Sequence, residues 1–338
     1  MKTLVFTLFL LAQSGDPDAL SDQALQLARQ KEFTKAEQLW QKALAASPRH
    51  FASLFNLGFL NFSRQRFPQA ESYLRRAAQV KPDDFNTHYL LGTTLVNLGR
   101  REDGIRQWRK ALKINPNSVK LMQIMAVEYN NGRYFHDAAE IASRALEIED
   151  NDPNIYFLAI KAYQDAGDHP AALKVAAQLV KKFPELPRAN FEYGFELHKA
   201  GLSKQALPYL KTAKEGMPDY EEPYFFYGEI LVREGDHSEA IAALRRALEI
   251  RPDYMAAWIA LARAYMGLKQ YEQAADVLHQ AVKVDPKHPQ PHLLLSQVLF
   301  RLGKEQEAAR EKTMSLRLRR ENPEAMEAPI GRPFPDTP

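Results

Sequence analysis

The stretch Glu221–Tyr254, EEPYFFYGEILVREGDHSEAIAALRRALEIRPDY, contains two segments of helical period, separated by Gly235-Asp236 and closed by Pro252. In the first segment, large and small apolar residues recur at i, i+3, i+4 and i+7; they are Tyr224, Tyr227, Gly228 and Leu231. The second segment shows the same periodicity in Ala240, Leu244 and Ala247. Such spacing puts the apolar residues on one face of a helix. The stretch therefore predicts two helices joined by a short turn.

The same pattern returns every 34 residues along the chain. A closing proline recurs as Pro48, Pro82, Pro116, Pro184, Pro218, Pro252 and Pro286. An alanine of the second helix recurs as Ala36, Ala70, Ala138, Ala172, Ala206, Ala240, Ala274 and Ala308, with Gly104 as the ninth member. The sequence thus divides into nine repeats, which begin at Pro17, Phe51, Phe85, Val119, Pro153, Pro187, Glu221, Met255 and Pro289.

This register resembles the tetratricopeptide repeat, which combines a large aromatic residue, a large–small pair, two alanines in the second helix and a terminal proline. The resemblance implies an all-α fold, an α-solenoid formed as a right-handed superhelix of nine antiparallel helix-turn-helix repeats over residues 15–322. One helix pair alone cannot bury its apolar faces, so stacking of repeats supplies the stability. Repeat 5 departs from the pattern, because Leu179 replaces the second alanine and Ala159 precedes Ile160 in inverted order. We expect a local change of curvature there.

The residues before the first repeat, 1–14, are typical of a secretory signal peptide. Lys2 precedes the apolar run Leu4–Ala12, and small residues follow at plausible cleavage positions. The run is too short to cross a bilayer, which needs about 20 residues. We therefore expect an exported protein, periplasmic or secreted, whose mature chain starts near Gly15 and has no stable membrane insertion. The alternative is a cytoplasmic protein whose apolar N-terminus packs on repeat 1.

Residues 323–338 follow the last repeat and contain five prolines without helical period, which predicts a disordered tail; they are Pro323, Pro329, Pro333, Pro335 and Pro338. The chain has no cysteine. Disulfides, cysteine-ligated zinc and a lipid-modified N-terminal cysteine are therefore excluded.

Composition and motifs give no indication of catalysis. The 45 basic and 42 acidic residues nearly balance, and no nucleic-acid footprint follows from them. Arginines and lysines concentrate in repeats 2–4, where we expect a solvated outer face; an anionic partner on that face is the alternative. The sequence contains no phosphate loop, metalloprotease helix motif or nucleophile elbow. We expect a protein that is not an enzyme and binds no cofactor, metal or nucleic acid.

A second apolar stripe lies on the first helix of several repeats, opposite the face that packs within the repeat. In the family that the register resembles, this side lines a concave groove for peptide segments. The predicted partner-binding residues on it are Phe55, Phe59, Phe62, Tyr89, Phe157, Arg188, Phe191, Phe195, Phe225, Glu229 and Arg263. Two interpretations stay open: neighbouring helices cover these rings, or the rings contact a partner.

Two known binding modes of this family are disfavoured by the residues present. A clamp for chaperone tails needs lysine at the fifth position of a repeat, and no repeat has it. An asparagine ladder needs asparagine at the sixth position, where only Asn56 fits. The sequence therefore favours a non-catalytic scaffold or assembly factor that binds a protein or peptide segment in an aromatic-lined groove. The alternative is a non-catalytic subunit of a secretion or glycan-synthesis enzyme complex.

Overall fold

The computed structural model describes residues 15–321, which form 18 α-helices and no β-strand. These residues fall into two compact units, 15–166 and 167–321. The predicted signal peptide (1–14) and the proline-rich tail (323–338) lie outside the described residues. The boundary between the units falls inside repeat 5, the repeat whose sequence departs most from the common register.

The helices alternate between the first and second members of a repeat. Those of the first unit are α1 (Pro17–Arg29), α2 (Phe33–Ala46), α3 (Phe51–Ser63), α4 (Phe67–Val80), α5 (Phe85–Asn97), α6 (Arg101–Ile114), α7 (Val119–Asn131), α8 (Phe135–Ile148) and α9 (Pro153–Asp165). Those of the second unit are α10 (His169–Lys182), α11 (Pro187–Lys199), α12 (Ser203–Gly216), α13 (Glu221–Glu234), α14 (His237–Ile250), α15 (Met255–Gly267), α16 (Tyr271–Val284), α17 (Pro289–Arg301) and α18 (Glu305–Glu321).

Each odd-numbered helix begins at the residue where the sequence places the start of a repeat. Local chemistry explains several of these starts. The carboxylate of Asp84 accepts the backbone N–H of Thr87 at 2.7 Å, which caps α5, and proline occupies the first turn of α1, α9, α11 and α17. Within each unit every helix packs against the helices before and after it. The predicted all-α solenoid of helix-turn-helix repeats is confirmed.

The turn inside each repeat has one residue in the left-handed conformation. Glycine occupies this place in five repeats, as Gly99, Gly167, Gly201, Gly235 and Gly303. In the other four repeats a residue other than glycine has the same positive φ; these residues are Lys31, Gln65, Arg133 and Lys269. Because left-handed backbone is unfavourable for residues with a Cβ, packing of the two helices must stabilise the turn at these four positions.

Small residues allow the two helices of a repeat to approach closely. Ala240 is fully buried at the crossing of α13 and α14, and a Cβ added to Gly228 would lie 2.7 Å from Leu244 Cγ. In repeat 3 both contacting residues are glycines. A Cβ added to Gly104 would lie 2.8 Å from the carbonyl oxygen of Gly92, so α5 and α6 approach backbone to backbone. This contact explains why Gly104 stands where the other repeats have alanine.

Hydrogen bonds connect successive repeats at the closing prolines. Arg76, Arg144 and Arg246 occupy the same position of their repeats. Each donates from its guanidinium to the closing proline's carbonyl oxygen in the repeat before, and the acceptors are Pro48 (3.0 Å), Pro116 (2.7 Å) and Pro218 (3.0 Å). The accepting carbonyls lie in the loops just beyond the helix ends, so these bonds give them protein donors and connect one repeat to the next.

Candidate functional site

An apolar stripe is exposed on the first unit. It consists of Leu25, Phe59 and Val127, which are the ninth residues of their repeats on α1, α3 and α7. The ninth residue of the intervening repeat, on α5, is the half-buried polar Thr93. Phe59 has 55% of its surface exposed, although it lies in the middle of a helix flanked by packed neighbours. The sequence analysis predicted Phe59 but missed Leu25 and Val127. The signal that could have found them is their shared position, since single aliphatic residues do not stand out as aromatic ones do.

Half-buried aromatic rings lie beside the stripe. Phe55 stacks on Phe51 with ring centroids 6.2 Å apart, and Tyr89 stacks on Phe85 at 6.0 Å. Phe62 and these two rings pack over a core cluster formed by α4 and α5. Each of these rings is therefore held against the core while part of it stays at the surface. Phe157, on α9, is also half-buried.

In the second unit the structure corrects part of the predicted groove. Phe191 is 0% exposed and Phe225 is 2% exposed, so neither ring offers surface to a partner. Their neighbours on adjacent helices cover them: Phe226 lies 6.1 Å from Phe191, and Tyr254 lies 4.6 Å from Phe225, between ring centroids. Phe195 is half-buried against Phe226 at 5.0 Å. Of the two interpretations of the apolar stripe, coverage by neighbouring helices therefore applies to Phe191 and Phe225, and in part to Phe195.

Glu229 is held between two basic groups. Its Oε2 lies 3.2 Å from His198 Nε2, and its Oε1 accepts from Arg233 at 2.7 Å. Burial disfavours the ionised carboxylate, whereas the contacts with His198 and Arg233 favour it. Because these contacts have the larger combined effect, the pKa of Glu229 is lowered. Arg188 lies 3.8 Å from Glu192, and Arg263 is exposed on α15. The predicted polar residues thus lie on three different helices of this unit.

A second carboxylate cluster lies at the start of α13. Glu221 lies 2.7 Å from Arg251 Nη1, and Glu222 lies 4.0 Å from the same nitrogen. Burial and the adjacent Glu221 raise the pKa of Glu222 to about 7, although Arg251 opposes the shift. The guanidinium of Arg251 lies 3.6 Å above the centroid of the Tyr254 ring. The sequence analysis did not include Glu222 or Tyr254 among the partner-binding residues, because only the fold shows that they are buried together.

Models of the tetratricopeptide repeat family match most of the chain. The matched residues are 21–85, 85–118, 157–221, 197–255, 231–298 and 268–311. The chain belongs to the tetratricopeptide repeat (TPR) family.

The TPR fold is also found in solved structures that resemble this chain. A crystal structure of MamA is 18% identical over 49% of this chain and 96% of its own, with a TM-score of 0.46. MamA from Desulfovibrio magneticus RS-1 is 20% identical over 51% of this chain and 97% of its own, with a TM-score of 0.48. YrrB, described as a TPR protein with an unusual peptide-binding site, is 23% identical over 54% of this chain and 95% of its own, with a TM-score of 0.49. No curated protein matches the chain.

The basic stretch of this TPR chain is largely neutralised by its own acids. Glu37 pairs with Arg64 at 2.7 Å and with Arg66 at 3.1 Å. Glu71 pairs with Arg75 at 2.7 Å and with Arg100 at 2.8 Å. The remaining contacts pair Arg101 with Glu128, Arg106 with Asp103 and Arg109 with Asp137. These pairs favour a solvated, self-neutralised face over a surface for an anionic partner.

One polar trio has the composition of a hydrolase triad. Asp18 Oδ1 lies 2.9 Å from His50 Nε2, and His50 Nδ1 lies 2.9 Å from Ser53 Oγ. Ser53 is fully buried, whereas a serine nucleophile must reach its substrate. The trio therefore attaches α1 to the start of α3. Within residues 15–321, no set of three or more His, Asp or Glu side chains is arranged to hold a metal ion, and no helix has the length and apolar content to cross a membrane.

Proposed function

We propose that this TPR chain is a non-catalytic scaffold or assembly factor, and that an apolar segment of a partner protein binds to the stripe Leu25, Phe59 and Val127. TPR proteins are generally non-catalytic scaffolds. The observation that carries the proposal is the exposure of the Phe59 ring, since a monomer seldom leaves large apolar surface open at a repeated position without use. The alternative, a subunit of an enzyme complex, would use the same surface against a partner chain.

The half-buried rings make this surface suited to apolar side chains. Phe55 and Tyr89 have fixed stacking partners, so little side-chain freedom is lost when a ligand packs on them. Aromatic anchors in a rigid setting contribute much of the affinity at protein interfaces.

Replacing Phe59 with serine tests the proposal. Selection of a random peptide library on the purified protein is expected to enrich peptides with apolar residues. The Phe59→Ser protein should bind these peptides at least about tenfold more weakly, because the loss of one anchor ring typically costs about 2 kcal/mol or more. Folding should be unchanged, as judged by circular dichroism.

Phe300→Ser is the matched control, because Phe300 is a 63% exposed ring of the second unit and lies outside the stripe. The control should retain full peptide affinity. Equal binding by the parent and by the Phe59→Ser protein would contradict the assignment of the stripe.

Export forms a second part of the proposal and rests on residues 1–14, outside the described part of the chain. An apolar run preceded by Lys2 and followed by small residues is the feature that supports it. Mass spectrometry of the protein from its native cells should show a mature chain that begins near Gly15. An intact N-terminus at Met1 on the folded protein would contradict export.

A further inference from the structure

Two carboxylates share one arginine at the start of α13. Arg251 makes a close ion pair with Glu221, at 2.7 Å, and lies farther from Glu222, at 4.0 Å. Glu222 is only 4% exposed, and its carboxyl group has Glu221 beside it. A single guanidinium cannot balance two carboxylates, so the cluster has an excess of negative charge when both are ionised.

Tyr254 provides a second, independent observation at the same place. It is 5% exposed, and among residues 15–321 its hydroxyl has no hydrogen-bond partner. Burial raises the pKa of this hydroxyl, and the carboxylates of Glu222, Glu221 and Glu229 raise it further, although Arg251 opposes them. The hydroxyl therefore lies in the field of the same carboxylates. Buried polar groups are normally bonded, so the Tyr254 hydroxyl has an acceptor oxygen available for a donor that reaches the cluster.

We propose that Glu222, Glu221 and Tyr254 bind the ammonium or guanidinium group of a lysine or arginine of a partner protein. The inference rests on the proposed function and adds the charge of the ligand to it. Such a cation supplies several N–H donors to the two carboxylates and to the oxygen of the Tyr254 hydroxyl. Arg251 already demonstrates the chemistry, because its guanidinium pairs with Glu221 while it covers the Tyr254 ring.

The neighbouring polar groups do not compete for this role. Glu229 already has His198 and Arg233 as partners. Arg251 is about one-third exposed, so its side chain can shift toward solvent when a second cation enters. Glu222 is the second residue of its repeat. The equivalent residues are Arg188 in the repeat before and Ala256 in the repeat after. The other repeat with an acidic residue at this position is repeat 1, where Asp18 pairs with His50.

The proposal predicts that binding depends on pH. Glu222 takes up a proton as the pH falls through about 7, and only its ionised form pairs with a cation. Affinity for a basic peptide should therefore rise about tenfold from about pH 6 to about pH 8. The charged or titratable groups that act on Glu222 or Tyr254 are Glu221 and Glu229 on α13 and Arg251 after α14. His198 on α11 contacts the cluster's neighbour Glu229.

The test is selection of a random peptide library on the whole protein, on Glu222→Gln and on Glu249→Gln. Glutamine keeps the size of the side chain and removes the buried charge, so the Glu222→Gln protein should fold. Glu249 is an exposed carboxylate of α14 and serves as the matched control. Lysine and arginine should be enriched on the parent and on Glu249→Gln, and this enrichment should be lost on Glu222→Gln. A basic peptide recovered this way should show the tenfold pH effect with the parent and with Glu249→Gln, and should not show it with Glu222→Gln.

The outcomes separate this inference from the proposed function. Enrichment of apolar peptides without any basic preference, or an equal basic preference on Glu222→Gln, would overturn the inference and leave the apolar stripe intact. A library in which no peptide is enriched on the parent would overturn both. A pH effect of the same size in Glu222→Gln would contradict the role of Glu222.

Discussion

Replacing Phe191 with alanine is expected to destabilise the second unit by about 3–5 kcal/mol, because the substitution leaves a cavity in a closed core. The ring is fully buried, stacks on Phe195 at 6.1 Å and contacts Phe226 at the same centroid distance. Its neighbours belong to the core cluster that runs through α11 to α18. Chemical denaturation followed by circular dichroism measures the free energy of unfolding.

Phe59→Ala is the control for this prediction, since the ring has the same chemistry and is 55% exposed. Its truncation should change the free energy of unfolding by less than about 1 kcal/mol. The two substitutions together separate the two interpretations that the sequence leaves open for groove aromatics. If Phe191→Ala lowers the free energy of unfolding no more than Phe59→Ala does, Phe191 is accessible in the second unit and the assignment to the core is wrong.

Replacing Ala240 with leucine is expected to cost about 1–3 kcal/mol through overpacking. Ala240 is fully buried where α13 and α14 cross, and its carbonyl oxygen would lie 3.3 Å from a Cβ at Gly228. The three extra carbon atoms have no space unless the helices separate. Thermal and chemical denaturation of the purified variant would measure the loss.

Ala242→Leu is the matched control, because Ala242 is exposed two residues farther along the same helix. Leucine and alanine have similar helix propensity, so this change should leave stability within about 0.5 kcal/mol of the parent. Unfolding of Ala240→Leu at the parent's denaturant midpoint would show that the assigned register of repeat 7 is wrong.

The helix pairs and their register could be predicted because the information is local and repeated. Apolar residues at helical spacing, a closing proline and small residues at the crossing each act within one repeat. An error in one repeat is corrected by the others, as with Gly104, which was placed by the alanines of eight other repeats. The reason for that glycine was not predictable, since it depends on the distance between the backbones of α5 and α6.

The candidate site could be predicted only in part. Sequence spacing placed Phe55, Phe59, Phe191 and Phe195 on the side of the helix that faces away from its own repeat. Whether such a ring is open depends on the residue that the next repeat presents. Phe226 covers Phe195 at 5.0 Å, whereas the residue of α5 at the corresponding position is Leu90, which has no ring.

The sequence by itself therefore determined the helices, their pairing and the family, because repeat spacing encodes contacts between residues close in the chain. The tertiary structure alone decided which groove aromatics are surface and which are core. It also brought Glu222, at the start of α13, next to Arg251 and Tyr254 in the loop between α14 and α15. Burial and electrostatic field are sums over neighbours from several helices, and no spacing rule within one repeat contains them.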